Sequence, residues 1–100
     1  MALGRFSDPA LLVLTSLADG PKHGHAMIAD IAEMSGTRLG PGTLYGAITR
    51  LVEAGWIRPI ESDDRHRPYC ITALGRTHLH EQMTRLNHVA KTALGRLKHA

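Results

Sequence analysis

The sequence predicts a mainly α fold carrying a small β hairpin. Three observations point there. Apolar residues recur at helical spacing in three successive segments before Gly55, two short strand-like runs flank a polar loop after it, and a heptad-like apolar seam fills the last quarter of the chain. One hundred residues make one small structural unit with a limited core, so a second copy would supply apolar contact that the chain lacks by itself.

Asp8-Pro9 opens the first helix as N-cap and first-turn residue. Ala10, Leu11, Val13, Leu14, Leu17 and Ala18 carry that helix to Gly20-Pro21. Its apolar surface is too broad for one neighbour, and Leu11 and Leu14 are expected to serve a second subunit as well as their own domain. Gly24 starts the second helix, where Met27, Ile28, Ile31, Ala32 and Met34 recur at helical spacing until Ser35-Gly36. Thr37-Arg38-Leu39 forms a short extended link.

The third helix has the clearest limits, with Gly40 as N-cap, Pro41 just inside the start and Gly55 at the left-handed closing position. At 100° per residue Leu44, Ile48, Leu51 and Val52 fall on a packing side. Gly42, Thr43, Gly46, Thr49, Arg50 and Glu53 fall on the other. Small and hydroxylated residues beside one Arg suit a face that enters a major groove.

Beyond Gly55, Trp56, Ile57 and Ile60 form one strand-like run and Tyr69-Cys70-Ile71-Thr72 another, around a polar loop that holds Arg65 and Arg67. Pro59 confines the first strand to a sheet edge. Thr72 is placed to N-cap the last helix, along which Leu79, Met83, Leu86, Ala90, Ala93 and Leu97 are spaced four, three, four, three and four. Such a seam calls for another helix, and a two-fold homodimer is the simplest source. The order of elements describes a winged helix-turn-helix plus a long C-terminal dimerisation helix, divided as a DNA-binding domain over 1–72 and a dimerisation helix over 73–100 within one structural unit.

Composition narrows the function. An apolar share of 43% with 21% charge belongs to a globular chain. A net charge of +3, with seven His counted neutral, admits polyanionic partners. Cys70 is the sole cysteine, which excludes an intramolecular disulfide and suits a reducing interior. No apolar run approaches the roughly 20 residues of a membrane span, and Met1 to Asp8 lacks the apolar centre of a secretory signal. A cytoplasmic protein without membrane contact is expected. His78 and His80 are two apart and do not share a helix face, so no metal site is expected within the chain, although histidines of two copies leave a metal-responsive variant open. No nucleophile elbow or paired-acid context is present, and neither catalysis nor a cofactor is expected.

Four blocks also resemble the PadR-like transcriptional regulators: the Leu-rich first helix, Gly20-Pro21-Lys22-His23-Gly24, Pro41-Gly42-Thr43-Leu44-Tyr45 with Arg50-Leu51 and Gly55, and Tyr69-Cys70-Ile71-Thr72-Ala73-Leu74-Gly75-Arg76. The resemblance covers roughly residues 9 to 80. It implies a homodimer that binds a promoter palindrome in double-stranded DNA, usually as a repressor, with the third helix in successive major grooves and the wings on flanking backbone. Carried over by position, Thr43 and Tyr45 sit in the recognition-helix motif, Arg50 is its basic position, and Lys22 and His23 precede the supporting helix. Gly46 and Thr49 join the DNA-facing set from their place on the outward side. Two residues depart from the family pattern: Gly46 stands where Pro is usual, and His25 where Tyr is usual. Some relatives release DNA on binding a small-molecule effector between the long helices, where Met83, Leu86 and the first-helix leucines would form the apolar lining here. The alternative is a winged-helix module whose third helix or wing contacts protein.

Overall fold

The computed structural model describes residues 8–62 and 67–100. Its elements run α1 (Pro9–Leu17), α2 (Gly24–Ser35), α3 (Pro41–Ala54), β1 (Ile57–Pro59), β2 (Tyr69–Ile71) and α4 (Ala73–Lys98). Local chemistry sets the boundaries. The Asp8 carboxylate accepts from the Ala10 N–H at 2.9 Å, and Pro9 follows in the first turn, where its missing N–H costs nothing. α1 ends at Leu17, just short of the sequence expectation. The Ala18 and Gly20 N–H groups reach back three residues to Thr15 and Leu17, tightening the chain out of the α-helix.

α3 spans the range its proline and glycines predict. Gly55 has φ 79°, a left-handed conformation that side chains with a Cβ rarely adopt. The turn it makes lets the Trp56 N–H reach the Leu51 carbonyl and the Gly55 N–H reach that of Val52, both at 3.0 Å. The helix therefore stops sharply and passes into β1.

β1 and β2 pair antiparallel in the register Ile57 with Ile71, Arg58 with Cys70 and Pro59 with Tyr69. A third segment joins through one residue, Lys22, whose N–H donates to the Tyr69 carbonyl at 3.1 Å and whose carbonyl accepts from the Tyr69 N–H at 2.9 Å. β2 is thus central and β1 lies at an edge, where Pro59 lacks no ladder bond. Alternation turns Ile57 and Ile71 into the core and Arg58 away from it.

The core gathers around α1. Leu12, Val13, Leu14 and Leu17 meet Met27 and Ile31 of α2, Leu44, Ala47, Ile48 and Leu51 of α3, and Ile57 and Ile71 of the ribbon. Leu39, in the link before α3, is buried with them. Val52 departs from its expected packing side and is exposed beside the ribbon; Met34, in the last turn of α2, is exposed too. Ser16 is the buried polar residue among those described, and its hydroxyl donates to Asp30 Oδ2 at 2.6 Å.

α4 starts on a tight joint with the end of α3. Thr72 Oγ1 accepts from the Gly75 N–H at 3.0 Å and donates to the Gly55 carbonyl at 2.7 Å, while the Thr72 N–H donates to the Trp56 carbonyl at 3.0 Å. From there the 26-residue helix runs well past the core, giving the molecule extents of 57 × 26 × 20 Å. Among the described residues no helix is long and apolar enough to cross a membrane.

Candidate nucleic-acid interface

Thr43, Tyr45, Gly46, Thr49 and Arg50 are all exposed on α3, while Leu44, Ala47, Ile48 and Leu51 seal the opposite side against the core. Among the described residues a Cβ added at Gly42 or Gly46 would meet nothing within 4 Å, so no contact there requires glycine at either place. The Thr49 hydroxyl donates to the Tyr45 carbonyl at 2.9 Å, which commits its proton to the helix and leaves its oxygen to accept.

Tyr45 joins this face to α2. Its phenol tip lies against the Gly24 α-carbon, where a Cβ would overlap the hydroxyl and stand 2.8 Å from Cζ. The first turns of α2 and α3 are thereby held together. Neither carries a side-chain cap: His23 and Gly40 make no capping hydrogen bond, whereas Asp8 and Thr72 cap α1 and α4. Uncapped first-turn amides favour anionic groups. The His23 and His25 rings flank the α2 start with centroids 6.2 Å apart.

Lys22 corrects an expectation. Its ammonium donates to the Ser16 carbonyl and to the Asp19 carboxylate, and lies 4.0 Å from Asp30. With its side chain only 19% exposed, it braces the α1–α2 turn instead of reaching outward. The hydrogen bond from Lys22, then its charge, holds the Asp19 carboxyl below its ordinary value.

On the ribbon, Arg58 and Arg67 are exposed; the wing position expected at Arg65 lies outside the described residues. Arg58 is absent from the sequence expectation, although its alternation with Ile57 carries the signal. Arg38, exposed just before α3, and His25 are further exposed basic side chains outside that expectation. A groove of about 370 Å³ separates α3 from the ribbon, lined by Ile48, Thr49, Val52, Glu53, Pro59 and Tyr69.

Of the residues expected at a subunit interface, Leu14 is 2% exposed and belongs to the chain's own core, because α1 turns that side toward α3 and α4. Leu79 is half-buried against the same core. Leu11, Met83, Leu86 and Ala90 line, with Leu12 and Asn87, an apolar groove of about 370 Å³ between α1 and α4. Farther along, Ala93 is exposed and Leu97 is 73% exposed, joined by Val89 and Leu94, which the heptad spacing did not include. Trp56 is half-buried against the core and stacks on His78 with ring centroids 4.2 Å apart. Among the described residues no three of His, Cys, Asp and Glu are grouped to hold a metal ion.

Three helices, a two-stranded wing and a long trailing helix define a winged helix-turn-helix protein. The model of the transcriptional regulator PadR-like family matches residues 13–81, and the chain belongs to that family. It is 53% identical over 72 residues to an uncharacterized 37.1 kDa protein in transposon TN4556 of Streptomyces fradiae, a match covering 72% of this chain. The chain spans about a fifth of that relative's length, 21%. Its fold is similar to that of a PadR family transcription regulator from Clostridium difficile, with a TM-score of 0.76 at 20% identity over 84% of this chain and 92% of the other. A PadR-like transcriptional regulator from Bacillus cereus superposes with a TM-score of 0.78 at 17% identity, covering 88% and 89%.

Proposed function

We propose that this chain is a cytoplasmic transcriptional repressor that binds a palindromic promoter site as a homodimer, with α3 in the major groove and the ribbon on adjacent phosphates. The observation that carries this reading is the bare arc of α3: two glycines, two threonines and Arg50, all exposed, with neither glycine required by a contact among the described residues. A backbone stripped of bulk can approach base edges closely, and Arg50 offers two-pronged donation to guanine or phosphate. The uncapped starts of α2 and α3 supply amides for phosphate, and Arg58 and Arg67 add charge from the ribbon.

The second copy is inferred from the far half of α4, where Val89, Leu94 and Leu97 stay exposed with nothing among the described residues to cover them. Paired tails would set two recognition helices about one turn of duplex apart. The apolar groove between α1 and α4 is where a small effector would act, since it adjoins both the tail and the DNA-binding unit. Footprinting on the chain's own promoter tests the reading. Two protected half-sites about 10 base pairs apart are expected, and uniform cleavage across the promoter contradicts it.

A further inference from the structure

Glu53 is the acidic residue on the exposed arc of α3 and stands three residues from Arg50. That spacing permits an ion pair, yet among the described residues none forms with Glu53. The carboxylate is exposed in the last turn and lines the groove between α3 and the ribbon beside Thr49, Val52 and Pro59. By helical angle it falls between Gly42 and Gly46, in the middle of the bare stripe. Among the described residues nothing therefore pairs with its charge, and its position faces whatever the stripe faces.

We infer that Glu53 is a specificity-determining residue that reads an exocyclic amino group, cytosine N4 best of all, near the edge of each half-site. The inference rests on the DNA reading above. A carboxylate facing DNA has two states. Against phosphate oxygens it is repelled, so every loosely held, sequence-independent complex is weakened. Against an amino donor in the major groove it accepts a charge-assisted hydrogen bond, and the repulsion is offset only there. Penalising the wrong partners as well as rewarding the right one widens the gap between them. Arg50, one turn earlier, holds the complex to the duplex in either state.

Selection from a pool of random-sequence duplexes, run in parallel for the unaltered chain, Glu53→Gln and Arg50→Ala, tests this, with affinities then measured on the selected site and on bulk genomic DNA. Glu53→Gln is expected to bind bulk DNA several-fold more tightly, to lose about tenfold in the ratio of selected to bulk affinity, and to relax its preference at one base pair per half-site. An exposed Glu exchanged for Gln leaves the fold intact, which circular dichroism checks. If Arg50→Ala weakens binding while Glu53→Gln selects the same sequences at the same ratio, the role given to Glu53 is overturned and the DNA reading stands. If the unaltered chain retains no duplex, both fall together.

Discussion

Gly75, in the first turn of α4, lies so close to Trp56 that a Cβ there would overlap the Trp56 carbonyl oxygen and stand 2.9 Å from Ile71 Cγ1. Trp56 follows directly on the glycine that ends α3, so this contact fixes how the end of α3 meets the start of α4. Backbone oxygen cannot swing aside as a side-chain tip can. Gly75→Ala is expected to cost about 2–3 kcal/mol, seen as a lower urea midpoint. A midpoint within a few tenths of a molar of the parent's would mean that the joint yields easily.

The bare arc of α3 predicts an opposition between stability and binding. At Gly46 a methyl group meets open space, so Gly46→Ala should raise stability by about 0.5–1 kcal/mol through helix propensity. If α3 enters the groove as proposed, the same methyl would stand between the helix backbone and the duplex, and DNA affinity should fall several-fold. Thermal unfolding and a mobility-shift titration on one preparation read both. A variant that gains stability and keeps full affinity would remove Gly46 from the DNA-facing surface.

Lys22 separates bracing from DNA binding. Its ammonium is engaged by the Ser16 carbonyl and the Asp19 carboxylate, so Lys22→Met should cost about 1 kcal/mol of stability. The slope of log affinity against log salt should not change, because an ammonium turned inward neutralises no phosphate. The Asp19 partner adds a pH signature. Its folded carboxyl titrates below the ordinary value, so its contribution is present above that value and fades as pH falls through the lowered one. Acid titration of Lys22→Met by nuclear magnetic resonance should find the Asp19 carboxyl back near its ordinary value.

For the tail, Leu94→Lys and Leu97→Lys are the clean probes, since 67% and 73% exposure means that the fold of one chain does not need them. The pair of changes should halve the sedimenting mass and weaken binding to a two-half-site duplex at least about tenfold, through loss of the second engaged unit. An unchanged mass with intact unfolding behaviour would move the subunit interface away from the far half of α4.

Much of the fold is legible in the sequence because local signals and packing agree. Pro41 and Gly55 bracket α3, Asp8 and Thr72 cap the helices they precede, and Pro59 sits on the ribbon edge it demands. What stays hidden depends on tertiary geometry. Helical spacing shows that Leu14 is apolar but not which apolar surface it meets, and α1 turns it into its own core. A lysine before a helix reads as a free cation until the turn around it brings the Ser16 carbonyl and Asp19 within reach. Arg58 alternates with Ile57 in a short strand-like run, and its outward direction becomes plain once Ile57 is seen to enter the core. Nor does spacing show that the ring of Tyr45 braces α2 at Gly24 while 47% of its surface stays open.

Salt-dependent binding of Arg50→Ala to the chain's promoter duplex, followed by fluorescence anisotropy, bears most directly on α3 as the DNA-reading element. About tenfold weaker binding is predicted, with a log–log salt slope shallower by about one unit for each Arg–phosphate pairing removed. Equal affinity and an equal slope for the variant and the parent would contradict the account.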